Sequence, residues 1–431
     1  MQNKVVKNAA WIIACKIIQS LLGLVVSMLS ARYLGPSGYG LINYATSVVA
    51  FVAPIMQLGL NGILVQEIVN APEKEGETVG TALVMCVTSS VFCILGVLSF
   101  VAIANHGEKT TLLVCGLYSI ILIFQALEMT QYWFQAKLKS KYVSVVALIG
   151  YITISIYRII LLIQQASIYW FALSQALDLM IISVSLLIIY KKMGTDKLRF
   201  SKEAMKRMFA KSKHYIISNL MVTIFVQTDR IMLKLMLGNE ATGFYSAAAT
   251  CATLTSFVFN AIIDSARPSI LESQKVSEEA FEENMKRLYC VIIYLSLAQC
   301  LFITLLSPWI VQILYGRDYA PTAQVLRLVV WYTTFAYLGM VRNIWILAKE
   351  KQKYLWIINL SGVLMNVTIN AVLIPVWGIM GAAFASLFTE IFANVIVSTL
   401  IKPIRRNSWL MFTGLNPKHL AGMLRLIKRK K

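Results

Sequence analysis

Twelve times between residues 9 and 401 the chain runs through about twenty residues almost free of charge. The runs fall near 9–31, 41–64, 80–104, 112–134, 143–163, 167–190, 214–237, 243–267, 288–314, 323–347, 355–374 and 378–401. A helix of that length covers a hydrocarbon core of ~30 Å and makes all its backbone hydrogen bonds internally. A membrane β-barrel would show alternating segments of ~10 residues instead. Composition agrees: 58% of residues are hydrophobic and 14% charged, against about 25% charged in soluble domains. The expectation is an all-α polytopic membrane protein of about twelve transmembrane helices. No cleavable leader is expected, because residues 1–8 are short and 9–29 are long enough to span.

The net charge of +20 invites a nucleic-acid reading, but the charge has an address. With the N-terminus inside, the inside segments hold 30 of the 40 Lys and Arg, the outside loops hold Arg32, Lys109 and Arg317, and seven lie within spans. This positive-inside asymmetry puts both termini in the cytoplasm and the basic segments against membrane lipids. The loop 66–78 is acidic, an exception that counts little toward orientation. No nucleic-acid partner is expected.

Two stretches repeat. Leu34-Gly35-Pro36-Ser37-Gly38-Tyr39-Gly40 opens a pattern L-G-x4-G-x4-A that recurs from Leu237-Gly238 through Gly243 to Ala248. Equal placement between apolar runs points to a duplicated chain. Gly35, Gly40, Gly238 and Gly243 are expected to turn the backbone between helices. The expected division is 1–190 as an N-terminal six-helix bundle, 191–213 as a basic cytoplasmic linker, 214–401 as a C-terminal six-helix bundle and 402–431 as a basic tail. Six spans on each side make the repeat parallel. Ser201 is expected to cap a short surface helix carrying Met205, Met208 and Phe209. Asn416-Pro417 is expected to start a second one, with Leu420, Met423, Leu424 and Ile427 on one face.

Charges inside spans are costly and mark function. Asn219, Thr223, Gln227, Arg230 and Lys234 share one face of the seventh run, with Asp229 beside them. Thr253, Ser256, Asn260, Asp264 and Arg267 share a face of the eighth, where Asp264 and Arg267 stand at i,i+3 and can pair. Lys16, Glu128, Arg158, Asp178, Arg327, Arg342 and Glu390 are the remaining in-span charges, and Asn366 and Asn370 lie one turn apart in the eleventh run. Gly378, Ala382, Ser386, Glu390 and Asn394 follow at intervals of four in the twelfth, a packing stripe of small residues with one acid in it. The bland reading is an internal charge cluster that only holds helices together. The seven cysteines form no CxxC and read as small packing residues.

Enzyme chemistry finds little support. No G-x4-GK[ST] motif supplies an ATP motor, no HExxH or Cys/His cluster a metal centre, and no GxSxG a nucleophile. No cofactor, metal site or catalytic residue is expected.

The residues Ala31-Arg32-Tyr33-Leu34-Gly35-Pro36-Ser37-Gly38-Tyr39-Gly40, with Asp229-Arg230-Ile231-Met232-Leu233 and Leu237-Gly238 opening the second half, resemble the polysaccharide biosynthesis (Wzx-like, O-antigen) flippases. These belong to the superfamily of multidrug and toxin extruders and lipid II flippases. The resemblance covers the whole chain, with Gln66-Glu67 as a departure where a basic residue is expected. It implies a fold like that of the multidrug extruders (MATE-like), with two six-helix bundles around a central cavity in a bacterial cytoplasmic membrane. It further implies an undecaprenyl-diphosphate-linked oligosaccharide as cargo, moved to the outer leaflet by alternating access. A polysaccharide polymerase and a chain-length regulator are the implied protein partners. Seven basic against five acidic in-span residues suit a diphosphate. Lys16, Arg158, Arg230, Lys234, Asp264, Arg267 and Arg342 are the expected cargo contacts. Asp229, Asn366, Asn370 and Glu390 are the expected ion-coupling residues. The alternative is a cation-coupled multidrug antiporter of the same fold, which would favour an acidic lining. A scaffold for glycan assembly is a third class, for which no residue argues.

Overall fold

The structure, a computed structural model, describes residues 2–194 and 196–419; among the first 21 residues it describes the side chains of Cys15, Ile18 and Gln19 alone. The expected amphipathic segment from Leu420 onward and the side chain of Lys16 therefore lie outside the described residues. Among those described there is no strand. The helices in chain order are α1 (Gln2–Met56), α2 (Leu64–Asn70), α3 (Glu75–Ala104), α4 (Lys109–Ser119), α5 (Ile121–Leu127), α6 (Gln131–Ala136), α7 (Ser140–Ile163) and α8 (Ile168–Met193). There follow α9 (Lys202–Leu237), α10 (Asn239–Thr253), α11 (Ser256–Val276), α12 (Glu278–Leu314), α13 (Ala320–Ala348), α14 (Leu355–Trp377), α15 (Ile379–Ile391), α16 (Ser398–Leu400) and α17 (Arg405–Thr413). Helix is the one open structure that hides its own backbone polar groups from lipid.

Eight of these stretches are long and apolar enough to cross a membrane, and the pair α10 and α11, bent by 41°, makes a ninth if taken as one span. Their outward faces carry large apolar side chains such as Phe92, Ile103, Leu305 and Trp309, all exposed. Such a surface is stable only against lipid. The chain is a multi-pass membrane protein. The expected seventh and tenth runs are helical, in α9 and α13, but both lie outside that apolar set. Helix α9 carries a high share of polar and charged residues.

Two compact units divide the chain, Met1–Gln227 and Thr228–Lys431. Their boundary falls inside α9. The linker expected at 191–213 is part of the first unit, and its residues are held there. Arg199 N donates to Gly76 O at 3.2 Å, and Ser201 N to Thr81 Oγ1 at 3.0 Å. Ser201 does cap a helix, accepting from Ala204 N at 3.2 Å. That helix is not the short surface piece expected, because nothing breaks it before Leu237. Lys202–Leu237 contains neither proline nor glycine.

The acidic loop explains the docking. Glu67 is buried and accepts from Lys211 Nζ at 2.6 Å and Arg207 Nε at 3.2 Å, while buried Glu75 takes Lys137 Nζ at 2.7 Å. Burial pushes the Glu67 carboxyl up, but the hydrogen bonds and charges of Lys211 and Arg207 outweigh it and hold the group below the ordinary carboxylate range. A depressed folded value means that the clamp stabilises above the unfolded pKa and is lost as pH falls through the folded one. Glu67→Gln should raise amide exchange in 199–211 by roughly ten- to a hundredfold at neutral pH, the equivalent of one or two charged hydrogen bonds. Acidification should bring the wild-type chain toward the same rate.

The repeated turns match in backbone as well as in sequence. Gly35 stands at φ 65°, ψ 175° and Gly238 at φ 91°, ψ −171°, a region open essentially to glycine alone. One such residue suffices to break a helix, so Gly40 and Gly243, expected at the turn, lie instead one turn into the helix that follows, buried. The second apolar run also ends sooner than expected, at Met56, because Leu58 and Gly59 both take positive φ. Gly35→Ala and Gly238→Ala should each cost about 1–3 kcal/mol, read as a lower melting temperature in detergent.

Candidate functional site

The strongest polar cluster inside the second unit is built by four helices around one acid. Asp229 on α9 is buried. Its Oδ1 accepts from Asn366 Nδ2 at 3.0 Å and Asn370 Nδ2 at 2.7 Å, both from α14. The two asparagines are one turn apart, so a single helix face delivers both, and Asn370 Nδ2 also donates to Asn366 Oδ1 at 3.1 Å. Oδ2 accepts from Tyr245 Oη of α10 at 2.5 Å and from Ser386 Oγ of α15 at 2.6 Å. All four partners are buried and neutral.

The cluster holds more acceptors than hydrogens. Asp229 Oδ2, Tyr245 Oη and Ser386 Oγ stand 2.5, 2.6 and 2.7 Å from one another. Two hydroxyl hydrogens serve three contacts, and Ser386 Oγ also lies 2.9 Å from Ala382 O. Asn370 Oδ1 is buried with no hydrogen-bond partner. A small cation among these oxygens would satisfy the surplus lone pairs. The set is one carboxylate with hydroxyl and amide oxygens, which suits a hard ion such as Na⁺ rather than a soft transition metal. Among the described residues no three His, Cys, Asp or Glu side chains gather as a metal site.

Of the expected coupling residues, Asp229, Asn366 and Asn370 come together and Glu390 stands apart, bonded by Asn394 Nδ2. Tyr245 and Ser386 were not among the expected site residues. Ser386 lay in the small-residue stripe, where a serine reads as packing, and no sequence signal separates Tyr245 from a core aromatic. The expected cargo contacts are dispersed. Arg230 and Lys234 follow Asp229 on α9, Arg230 half-buried and Lys234 buried. Asp264 and Arg267 form the expected pair at 2.9 Å, with both side chains exposed. In the first unit Arg158 Nε donates to Ser174 Oγ at 2.9 Å. Arg342 is buried and donates to the side chains of Asn394, Ser398 and Asn343.

Residues 5–274 match the family described as polysaccharide biosynthesis protein. No curated protein matches the sequence. Among solved structures, the lipid II flippase MurJ in an inward closed conformation superposes with a TM-score of 0.72 at 14% identity, covering 94% of this chain and 90% of that one. An inward-facing multidrug resistance MATE family transporter of the MOP superfamily gives 0.69 at 13% identity, over 90% and 96%. An outward-facing one gives 0.60 at 14%, over 94% and 96%. The fold is the one these transporters share.

Proposed function

Because the chain belongs to the polysaccharide biosynthesis protein family, we propose that it is a flippase, which moves an undecaprenyl-diphosphate-linked oligosaccharide across a bacterial cytoplasmic membrane for surface polysaccharide assembly. The reading is a transporter and not an enzyme. Both termini are taken as cytoplasmic, from the distribution of Lys and Arg. The observation that carries the reading is the content of one short stretch of α9. Buried Asp229, half-buried Arg230 and buried Lys234 lie within two turns of one helix. Charges there are tolerated only for a purpose.

Two tasks divide among these groups. Arg230, Lys234 and Arg267 of the second unit are the cations for the diphosphate, arginine gripping it in bidentate fashion and lysine as a point charge. Asp229, Asn366, Asn370, Tyr245 and Ser386 take the coupling cation, and alternating access links the two. The lipid tail stays in the bilayer, because transferring it to water would forfeit about 0.8 kcal/mol per CH₂.

The test is genetic and then biochemical. Loss of the chain should abolish surface polysaccharide and leave the lipid-linked precursor on the inner leaflet. The wild-type chain should restore export.

A further inference from the structure

Glu390 lies outside the Asp229 cluster, yet it is built into a site of its own. Helix α15 continues as a π-helix over Phe392–Val397. A π turn re-aims the side chains around it, and such turns recur at functional positions. Asn394 sits inside it. Its Nδ2 donates to Glu390 Oε2, and its Oδ1 accepts from Arg342 Nη1 at 2.8 Å. The same Nη1 reaches Ser398 Oγ at 3.1 Å, and Nη2 reaches Asn343 Oδ1 at 3.2 Å. Arg342 is 5% exposed. Gly339 on α13 makes the room: a Cβ there would stand 2.5 Å from Asn394 Oδ1.

These contacts give Arg342 an occupation other than cargo. A buried guanidinium needs a counter-charge, and the nearest on its network is Glu390, one amide away. We infer that Asn394 positions Glu390 against Arg342, so that a proton exchanged between bulk water and the Glu390 carboxylate is read by α13 through that amide. The inference rests on the ion-coupled reading above and adds a second ion to it.

The amide can do this because its two ends differ. With Glu390 ionised, the NH₂ end meets a carboxylate and the C=O end meets the guanidinium, so both are satisfied. With Glu390 protonated, the carboxyl itself carries a donor, the NH₂ end loses its anion and Arg342 loses its counter-charge. The α13–α15 contact at Gly339 then has two arrangements, set by one proton. The other elements packed here add a few charged or titratable groups toward Glu390. They are Tyr332 on α13 and Asp229 on α9, with Arg230 of α9 beside Tyr332. Tyr245 on α10 is turned to Asp229, and α14 carries no titratable side chain.

The experiment uses the full chain in lipid nanodiscs without cargo. Infrared titration of protonated-carboxyl absorption follows the proton, and amide exchange over 339–346, corrected for intrinsic pH dependence, follows α13. In the wild-type chain one carboxyl band and the exchange should change across the same pH range, and Glu390→Gln should remove that band and abolish the exchange response. Asn394→Leu should keep the infrared titration and lose the exchange response. Asn394→Ser, too short to bridge, should do the same if the leucine variant does not fold. Arg342→Lys, which still offers a donor to Asn394 Oδ1, should retain the response. A wild-type exchange response in the folded Asn394 variants, or an unchanged infrared titration in Glu390→Gln, would overturn the proposal. Absence of gradient-driven flipping with this relay intact would count against the transport reading alone.

Discussion

Asp229→Asn should leave the protein folded and in the membrane while removing its response to sodium. The geometry supports both halves. The new amide brings two hydrogens to a triangle of oxygens that had two hydrogens for three contacts, and the hydroxyls of Tyr245 and Ser386 can turn to accept them. The variant should therefore melt no lower than the wild-type chain in sodium-free buffer. A ligand that binds only the folded state stabilises by about 2.7 kcal/mol at a hundred times its Kd. Sodium should thus raise the melting temperature of the wild-type chain and leave that of Asp229→Asn unchanged. Cation-driven transport should fall on the order of a hundredfold, the upper range of coupling between two sites. Asp229→Ala behaves differently. It leaves buried Asn366 Nδ2 without its acceptor, at about 1–3 kcal/mol, while Asn370, Tyr245 and Ser386 fall back on Asn366 Oδ1, Ser386 Oγ and Ala382 O, so the variant should melt below both the wild-type chain and Asp229→Asn. An equal sodium response in Asp229→Asn would remove the cation from this cluster.

Arg230→Ala should abolish surface polysaccharide without lowering the amount of protein in the membrane. If Arg230 served only to neutralise an acid, its loss would strand that acid and destabilise the fold. The two acids expected to need it have other partners. Asp229 takes its hydrogen bonds from neutral side chains, and Asp264 is paired with Arg267. Truncating one member of a desolvated charge pair costs 2–5 kcal/mol, or about thirtyfold to several thousandfold in binding. Export should drop by that factor. Arg230→Lys keeps the charge and loses the bidentate grip, so it should retain partial export. Loss of the protein in Arg230→Ala, repaired together with export in a double variant with Asp264→Ala, would leave a structural ion pair in place of a cargo contact.

Much of this was legible in the residues because the membrane leaves few choices. Apolar runs of one length mean helices, and Leu-Gly at 34–35 and 237–238 marks the same backbone break twice. Asp229, Asn366 and Asn370 came together as a set through the family resemblance, and polarity in an apolar run only marks each of them singly. Tyr245 and Ser386 were not legible, since a tyrosine and a serine on well-packed helices look like core. Arg342 misled for the opposite reason. A charge in a span signals function, but the sequence does not say whether it faces a cargo or a neighbouring helix, and the π turn that brings Asn394 and Ser398 to it has no sequence signature. The acidic loop was read as an exception to a charge rule, whereas Glu67 is the fixing point of a basic segment 140 residues further along the chain.

The most direct measurement places the purified chain in liposomes with a fluorescent undecaprenyl-diphosphate-linked oligosaccharide in one leaflet and a membrane-impermeant reagent that destroys sugars on the other side. The account predicts that sugars become accessible only when the protein is present, faster under an inward sodium or proton gradient, and hardly at all with Arg230→Ala. Sugars that stay protected from the reagent in the presence of folded protein, or movement of a cationic drug in place of the lipid-linked sugar, would contradict it.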